Sequence, residues 1–172
     1  MTVIAERDFG GRKEQERLRR SYRPNKVRLL FVGESPPASG RFFYQGDSGL
    51  YRAILRAFQR VDPSIDGANF LAKFRDAGCY LVDLCPAPVD DLDPKPRREA
   101  CRAAEAALSR AIARLRPLII VTVVRSIENN VIRSADGAGW HGTFVNLPYP
   151  GRWSRYRDQF VDTLAEICAA EV

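Results

Sequence analysis

Four short apolar runs, each bounded by helical or turn-forming sequence, constrain this chain more than any other feature. Segments 26–34 (KVRLLFVGE), 79–85 (CYLVDLC), 117–124 (PLIIVTVV) and 143–147 (TFVNL) are rich in β-branched residues and nearly continuous in apolar side chains. A strand reads this way when both of its faces are buried, as in a parallel sheet. Between the runs, apolar residues recur at helical spacing. Leu50, Ile54, Ala57, Phe58 and Val61 share one face; so do Cys101, Ala104, Leu108, Ala111, Ile112 and Leu115, and at the end Phe160, Val161, Leu164, Ile167 and Cys168. Strands that alternate with helices pair in parallel through right-handed crossovers. The expected fold class is α/β, a three-layer α/β/α sandwich around a central four-stranded parallel sheet. One domain spans 1–172, with 1–25 as a basic helical segment ahead of the first strand.

Punctuation residues agree. Gly78 follows the helix that contains Phe70, Leu71 and Phe74, as a glycine does just past a helix end. Asp93-Pro94 suits an N-cap followed by proline at the first helical position. Ser154 is the candidate N-cap of the last helix.

Composition narrows the function classes. A chain of 172 residues can bury a real core. It contains no run of roughly 18 apolar residues, so no membrane span is expected. The opening MTVIAERDFG lacks the apolar core of a secretory signal. Four cysteines are too few for a disulfide scaffold, which points to reduced thiols and a cytoplasmic protein. The net charge is +6, and residues 1–28 hold nine basic and four acidic groups. Such an asymmetry marks either a polyanion-binding arm or a solvated helix.

In an open parallel sheet, ligands bind beyond the carboxyl ends of the strands. That rule selects the loops 33–49, 83–91, 125–130 and 147–153. The one long irregular stretch is 34–48, with 86–93 a shorter second, and functional loops tend to be of this kind. Glu34 ends the first strand, partly desolvated and facing the crevice, where it can position or deprotonate a water; its structural alternative is to cap its own loop. Phe42, Phe43 and Tyr44 are a stacking platform or a small satellite core, and Phe42 is assigned to the core. Asp83 interrupts a buried strand and needs a partner or a ligand. In LPYPGRW (147–153), Arg152 is placed to meet a phosphate and Trp153 to cover the core.

These residues, in this order, resemble the uracil-DNA glycosylase superfamily. The resemblance is carried by GESPP (33–37), GDSG (46–49), YLVDL (80–84) and LPYP (147–150), and runs from about 26 to 170. In style it is nearest to the family 4 group, whose first motif reads Gly-Glu-Ala-Pro-Gly. The resemblance implies the same α/β/α fold and a DNA glycosylase of base-excision repair that flips a damaged or deaminated base out of the stack. It implies Glu34 as the water-activating, catalytic residue. Tyr44, or Phe43 with the gap placed differently, takes the position of the base-stacking aromatic, and Asp83 that of an Asn reading the pyrimidine edge. Gly33 and Ser35 belong to the substrate loop, and Pro148 and Tyr149 to the loop that enters the minor groove. Arg41, Arg125, Arg152 and Arg155 are then the residues expected at DNA.

Departures from the pattern are specific. The family's catalytic His is Leu147, and His141, the single His, lies at the other end of the fourth strand. Asp83 replaces an Asn amide and, when ionised, only accepts hydrogen bonds. Pro37 replaces a glycine. Family 4 members carry a four-cysteine iron–sulfur cluster. Here Cys85 and Cys101 match the spacing of the last two ligands, but the pair that should precede the first strand is absent, so no metal and no cofactor are expected. The expected partner is DNA, bound by a monomer. Two alternatives stand beside the glycosylase: a catalytically silent nucleic-acid-binding protein of the same fold, and a nucleoside or nucleotide N-glycosidase.

Overall fold

The computed structural model describes residues 3–151 and 153–171. The chain runs α1 (Val3–Ser21), β1 (Leu29–Gly33), α2 (Gly49–Val61), α3 (Phe70–Asp76), β2 (Cys79–Asp83), α4 (Pro94–Leu115), β3 (Ile119–Thr122), α5 (Glu128–Gly137), β4 (Thr143–Asn146) and α6 (Ser154–Glu171). Short 3-10 turns occupy Phe43–Gln45 and Arg125–Ile127. All four apolar runs form strands, each trimmed at its ends to the residues that pair.

The sheet is parallel throughout, in the order β2-β1-β3-β4. Every residue of β1 and β3 is buried, which is why those runs carry no polar alternation. α2 packs on α6, and α4 packs on α5. Right-handed crossovers put these two pairs on opposite faces of the sheet, completing the three layers. Phe31, Phe70, Phe74, Ile112, Ile120 and Phe160 are among the fully buried side chains between the layers.

Strand order reverses direction at β1. The chain leaves β1 toward β2 on one side, then crosses back over β1 to reach β3 on the other. A crevice opens beyond the carboxyl ends of strands at such a switch point. Here that places the ends of β1 and β3, with Glu34 and Val123, at its floor.

Several local expectations are met. Gly78 takes φ +79 and its N–H donates to the Arg75 carbonyl, closing α3. Asp93 is the N-cap of α4 and Pro94 its first residue. Others differ. Segment 125–130 is helical rather than a loop. Ser154 is the first helical residue of α6, with the Trp153 carbonyl accepting from Tyr156 and Arg157. Val61, the last residue of α2, is exposed, and so is Trp153, which stands in the loop just ahead of α6 and does not cover the core. Among the described residues, no helix is long and apolar enough to cross a membrane.

Candidate active site

The loop after β1 is held open by polar ties rather than by packing alone. The Phe42 amide donates to Asp47 Oδ1 at 2.7 Å, and the Ala38 amide donates to Asp90 Oδ1 at 3.0 Å. Ser35 Oγ accepts from the Val89 amide at 3.2 Å. The last two ties join 34–48 to 86–93, so the two irregular stretches form one wall. Beneath them lies a cavity of about 480 Å³, within the range of roughly 300–1,000 Å³ usual for small-ligand pockets. Glu34, Phe43, Asp83, Arg97, Val123 and Tyr149 contribute to its lining.

Glu34 leaves β1 straight into this cavity, its side chain 13% exposed. Arg97 grips it with both arms of the guanidinium: Nε donates to Oε1 at 2.8 Å and Nη2 donates to Oε2. This fork geometry is the strong form of an ion pair and fixes the carboxylate plane. A carboxylate has about four lone-pair sites; Arg97 takes two and the Cys101 thiol, 3.8 Å from Oε1, a third, so about one remains for a water or substrate. Arg97 was not legible as a site residue, but one signal existed. It lies in the first turns of α4, which carries no acidic residue in its first turn. A cation there opposes the helix dipole and so calls for a separate anionic partner.

Asp83 ends β2 directly opposite Gly33 of β1. Its Oδ2 accepts from Arg19 Nη2 at 2.9 Å, with the Asp83 side chain 9% exposed. Burial raises its pKa, and the Arg19 charge works against that rise. A Cβ built on Gly33 would stand 2.7 Å from Asp83 Oδ1, so only glycine leaves the carboxylate its place. Arg19 comes from α1, and its guanidinium also lies 5.3 Å over the Phe42 ring. The N-terminal basic helix is thus docked against the site through one of its arginines. Nothing in the sequence singled Arg19 out from the 27 basic residues.

The aromatic trio divides. Phe42 is buried as core, as expected. Phe43 lines the cavity and is braced by edge contacts with Tyr44 and Phe70. Tyr44 does not reach the cavity wall, which corrects its placement as a base-stacking residue. Its hydroxyl accepts from the Leu81 amide at 2.7 Å and donates to the Leu81 carbonyl at 3.0 Å, so it is consumed by the edge of β2. Burial pushes its pKa well above the ordinary value.

Of the other expected residues, Gly33, Ser35, Arg41 and Tyr149 line the cavity. Tyr149 is 50% exposed at the rim, with Pro148 buried beneath it. Arg125 is not brought to the cavity: it leans on α6, 5.7 Å from the Tyr156 ring and 3.4 Å from Gln159 Oε1. Arg155 also lies over Tyr156. Arg152 falls outside the described residues. Leu147 is buried, and its amide continues the sheet by donating to the Thr122 carbonyl. His141 precedes β4, at the far end of the sheet.

A second cavity of about 740 Å³ borders the first through Glu34 and Arg97. Arg98, Arg102 and Arg133 line it, together with Asn129 and Asn130. Arg133 and Asn130 both donate to Glu105, binding α5 to α4 along its wall.

Cys85 and Cys101 stand beside Glu34, with their Sγ atoms 3.6 Å apart and Cys101 Sγ 3.8 Å from Glu34 Oε1. Burial and the neighbouring thiol push Cys85 up to about 12. Cys79 opens β2 at its other end, roughly 20 Å of extended chain away, and Cys168 is buried near it. These four thiols do not fit a four-cysteine cluster. Among the described residues, no group of three or more His, Cys, Asp or Glu side chains is arranged to hold a metal ion.

Comparison with known proteins bears on what this crevice belongs to. No curated protein matches the chain. A family model described as "Uracil DNA glycosylase superfamily" matches residues 20–169, all of the sheet and every loop of the crevice. The four-stranded parallel sheet, the acid at the end of its first strand and that match together assign the chain to its family: it belongs to the uracil DNA glycosylase superfamily.

Proposed function

We propose that the protein is a DNA glycosylase that hydrolyses the bond between C1′ of a deoxyribose and a damaged or deaminated base. The observation that carries this reading is the Glu34–Arg97 fork at the wall of a base-sized cavity. As the C1′–N bond lengthens, its electron pair leaves with the base and positive charge develops on the sugar. Glu34, held in place by Arg97, faces that charge and orients a water toward C1′ with its remaining lone pair. The water oxygen bonds to C1′, and the proton it sheds passes to Glu34. The base must first be flipped from the stack. Phe43 walls the cavity that receives it, and Tyr149 and Trp153, both exposed on the loop after β4, are the side chains that meet the duplex. Arg41 at the rim and the arginines of the second cavity supply charge for phosphates. The protein acts as a monomer in the cytoplasm, a compartment in keeping with four free cysteines.

Duplex and single-stranded oligonucleotides carrying altered bases, treated with alkali to reveal abasic sites, test the activity. Glu34→Ala abolishes product while DNA affinity changes by less than about threefold. Absence of abasic product from every substrate overturns the reading. One observation favours a second reading: buried Leu147 stands where the family has its catalytic His, so that position offers no side-chain donor to the departing base. A silent nucleic-acid binder would hold DNA with a steep salt dependence and release no base.

A further inference from the structure

Two thiols stand against Glu34 that the reaction above does not use. Cys85 Sγ donates to Cys101 Sγ at 3.6 Å, and Cys101 Sγ donates to Glu34 Oε1 at 3.8 Å. Cys85 lies in the loop just after β2, and its amide donates to the Glu34 carbonyl at 2.8 Å. Cys101 belongs to α4 and lines the second cavity beside Arg97, while Cys85 is buried behind it. A buried free cysteine commonly packs as a small hydrophobe. Cys79 and Cys168 are of that kind, both inside the core cluster. Cys101 differs from them: it borders a cavity, touches a carboxylate and touches a second sulfur.

We propose that Cys85 and Cys101 are a redox-active pair, closed into a disulfide by hydrogen peroxide, and that closure strips Glu34 of the Cys101 S–H. The sulfurs are already in contact, and Cys85, in a loop, is the one free to rotate toward a bond of about 2.05 Å. Cys101 is the attacking sulfur, because it borders the open cavity and Glu34 Oε1 takes its proton. Its sulfur bonds to one peroxide oxygen, the O–O bond breaks, and the departing hydroxide collects that proton and leaves as water. The Cys85 sulfur then bonds to the Cys101 sulfur, the S–O bond breaks, and the hydroxyl leaves with the Cys85 proton as a second water. The two thiols are oxidised to one disulfide, and the peroxide is reduced to two waters. Burial raises the Cys101 pKa, and the Cys85 S–H and the Arg97 charge work against that rise. Cys85, pushed up to about 12 by burial, reacts second. Both sulfurs rest as thiols at neutral pH, so the pair answers sustained peroxide rather than traces of it. Once bridged, Oε1 keeps its bond from Arg97 Nε, and the lone pair that Cys101 held opens to water. The bridge itself does not depend on the proposed hydrolysis; its effect on the rate rests on that reading.

The full chain is treated with hydrogen peroxide while folded, quenched with catalase, then unfolded, alkylated and digested for mass spectrometry. The wild type yields a peptide pair joined through Cys85 and Cys101, with Cys79 and Cys168 alkylated, and dithiothreitol reverses the link. Cys85→Ser leaves Cys101 as a sulfenic acid without a bridge. Cys101→Ser, which keeps a donor for Glu34, leaves Cys85 a thiol. On oligonucleotide substrates the bridged wild type releases base roughly twofold or more faster than the reduced form, because Glu34 has lost a donor that competes with water. Absence of the joined peptides from the wild type overturns the inference, and needs no variant to fold. So does indiscriminate oxidation of all four cysteines. Equal or slower base release by the bridged form overturns the hold of the pair on Glu34. A bridge in a protein that yields no abasic product supports the inference and overturns the hydrolase. Base release without a bridge does the reverse.

Discussion

Tyr44→Phe separates a structural from a ligand-binding role at one atom. β2 is an edge strand, so the backbone groups on its outer side have no ladder partner. At Leu81 the Tyr44 hydroxyl fills both vacancies, accepting at 2.7 Å and donating at 3.0 Å. Both residues are 2% exposed, so water does not replace the hydroxyl freely. The substitution keeps the ring, its stacking on Tyr22 at 5.6 Å and its edge contact with Phe43 at 5.0 Å. It leaves one buried N–H and one buried C=O unpaired, at about 1–3 kcal/mol each, the carbonyl toward the low end. The total is roughly 2–4 kcal/mol. For a chain of this size that lowers Tm by roughly 5–15 °C. Urea denaturation followed by circular dichroism gives the free energy directly, and an unchanged m-value shows that the two end states are the same. Base binding and turnover per folded molecule stay within about twofold, whereas Phe43→Ala impairs both. A loss of stability below about 0.5 kcal/mol would refute the edge-strand account. Normal stability with lost base binding would return Tyr44 to the pocket.

Arg97→Ala leaves Glu34 largely buried without its cation, and should lower kcat at least tenfold while changing DNA Kd by less than threefold, in single-turnover and binding assays. Gly33→Ala places a methyl 2.7 Å from Asp83 Oδ1, and is expected to cost about 1–3 kcal/mol in urea denaturation and to weaken base binding in calorimetry. Glu105, hydrogen-bonded by Arg133, is held below its ordinary value of 4.5 and so takes up its proton less readily folded than unfolded. Its contribution is complete above that value and is lost as pH falls below it. Glu105→Gln should therefore flatten the acid limb of stability against pH below 4.5 and leave the neutral region parallel to wild type, measured by denaturation across that range.

Much of the architecture is readable from local pattern. A run such as PLIIVTVV is apolar on both faces and too short for a helix, so it has to be a covered strand wherever it sits. Gly78 and Asp93-Pro94 mark helix boundaries through backbone geometry that is local to those residues. With strands and helices alternating, chirality leaves few topologies, and the strand ends mark the crevice before any contact is known. Glu34 and Asp83 were legible for the same reason: a carboxylate at the end of a buried strand is out of place unless something meets it.

What meets each carboxylate was not legible, because an ion pair between positions 64 or 63 residues apart leaves no trace in sequence spacing. Arg97 reaches Glu34 because the crossover after β2 brings the start of α4 to the end of β1. Arg19 reaches Asp83 because α1 docks beside the edge strand. Likewise Phe43 and Tyr44 are neighbours of like chemistry, and only the position of the β2 edge assigns one ring to the cavity and the other hydroxyl to the backbone. The basic start of the chain follows the same division. Its charge is plain in the sequence, but packing alone determines that one of its arginines sits under the pocket while Arg17 and Arg20 pair along the exposed helix with Glu14 and Glu16. Periodicity and strand composition, which act over a few residues, determined the layers. The partners of the two buried charges were decided by which elements the completed fold brings together.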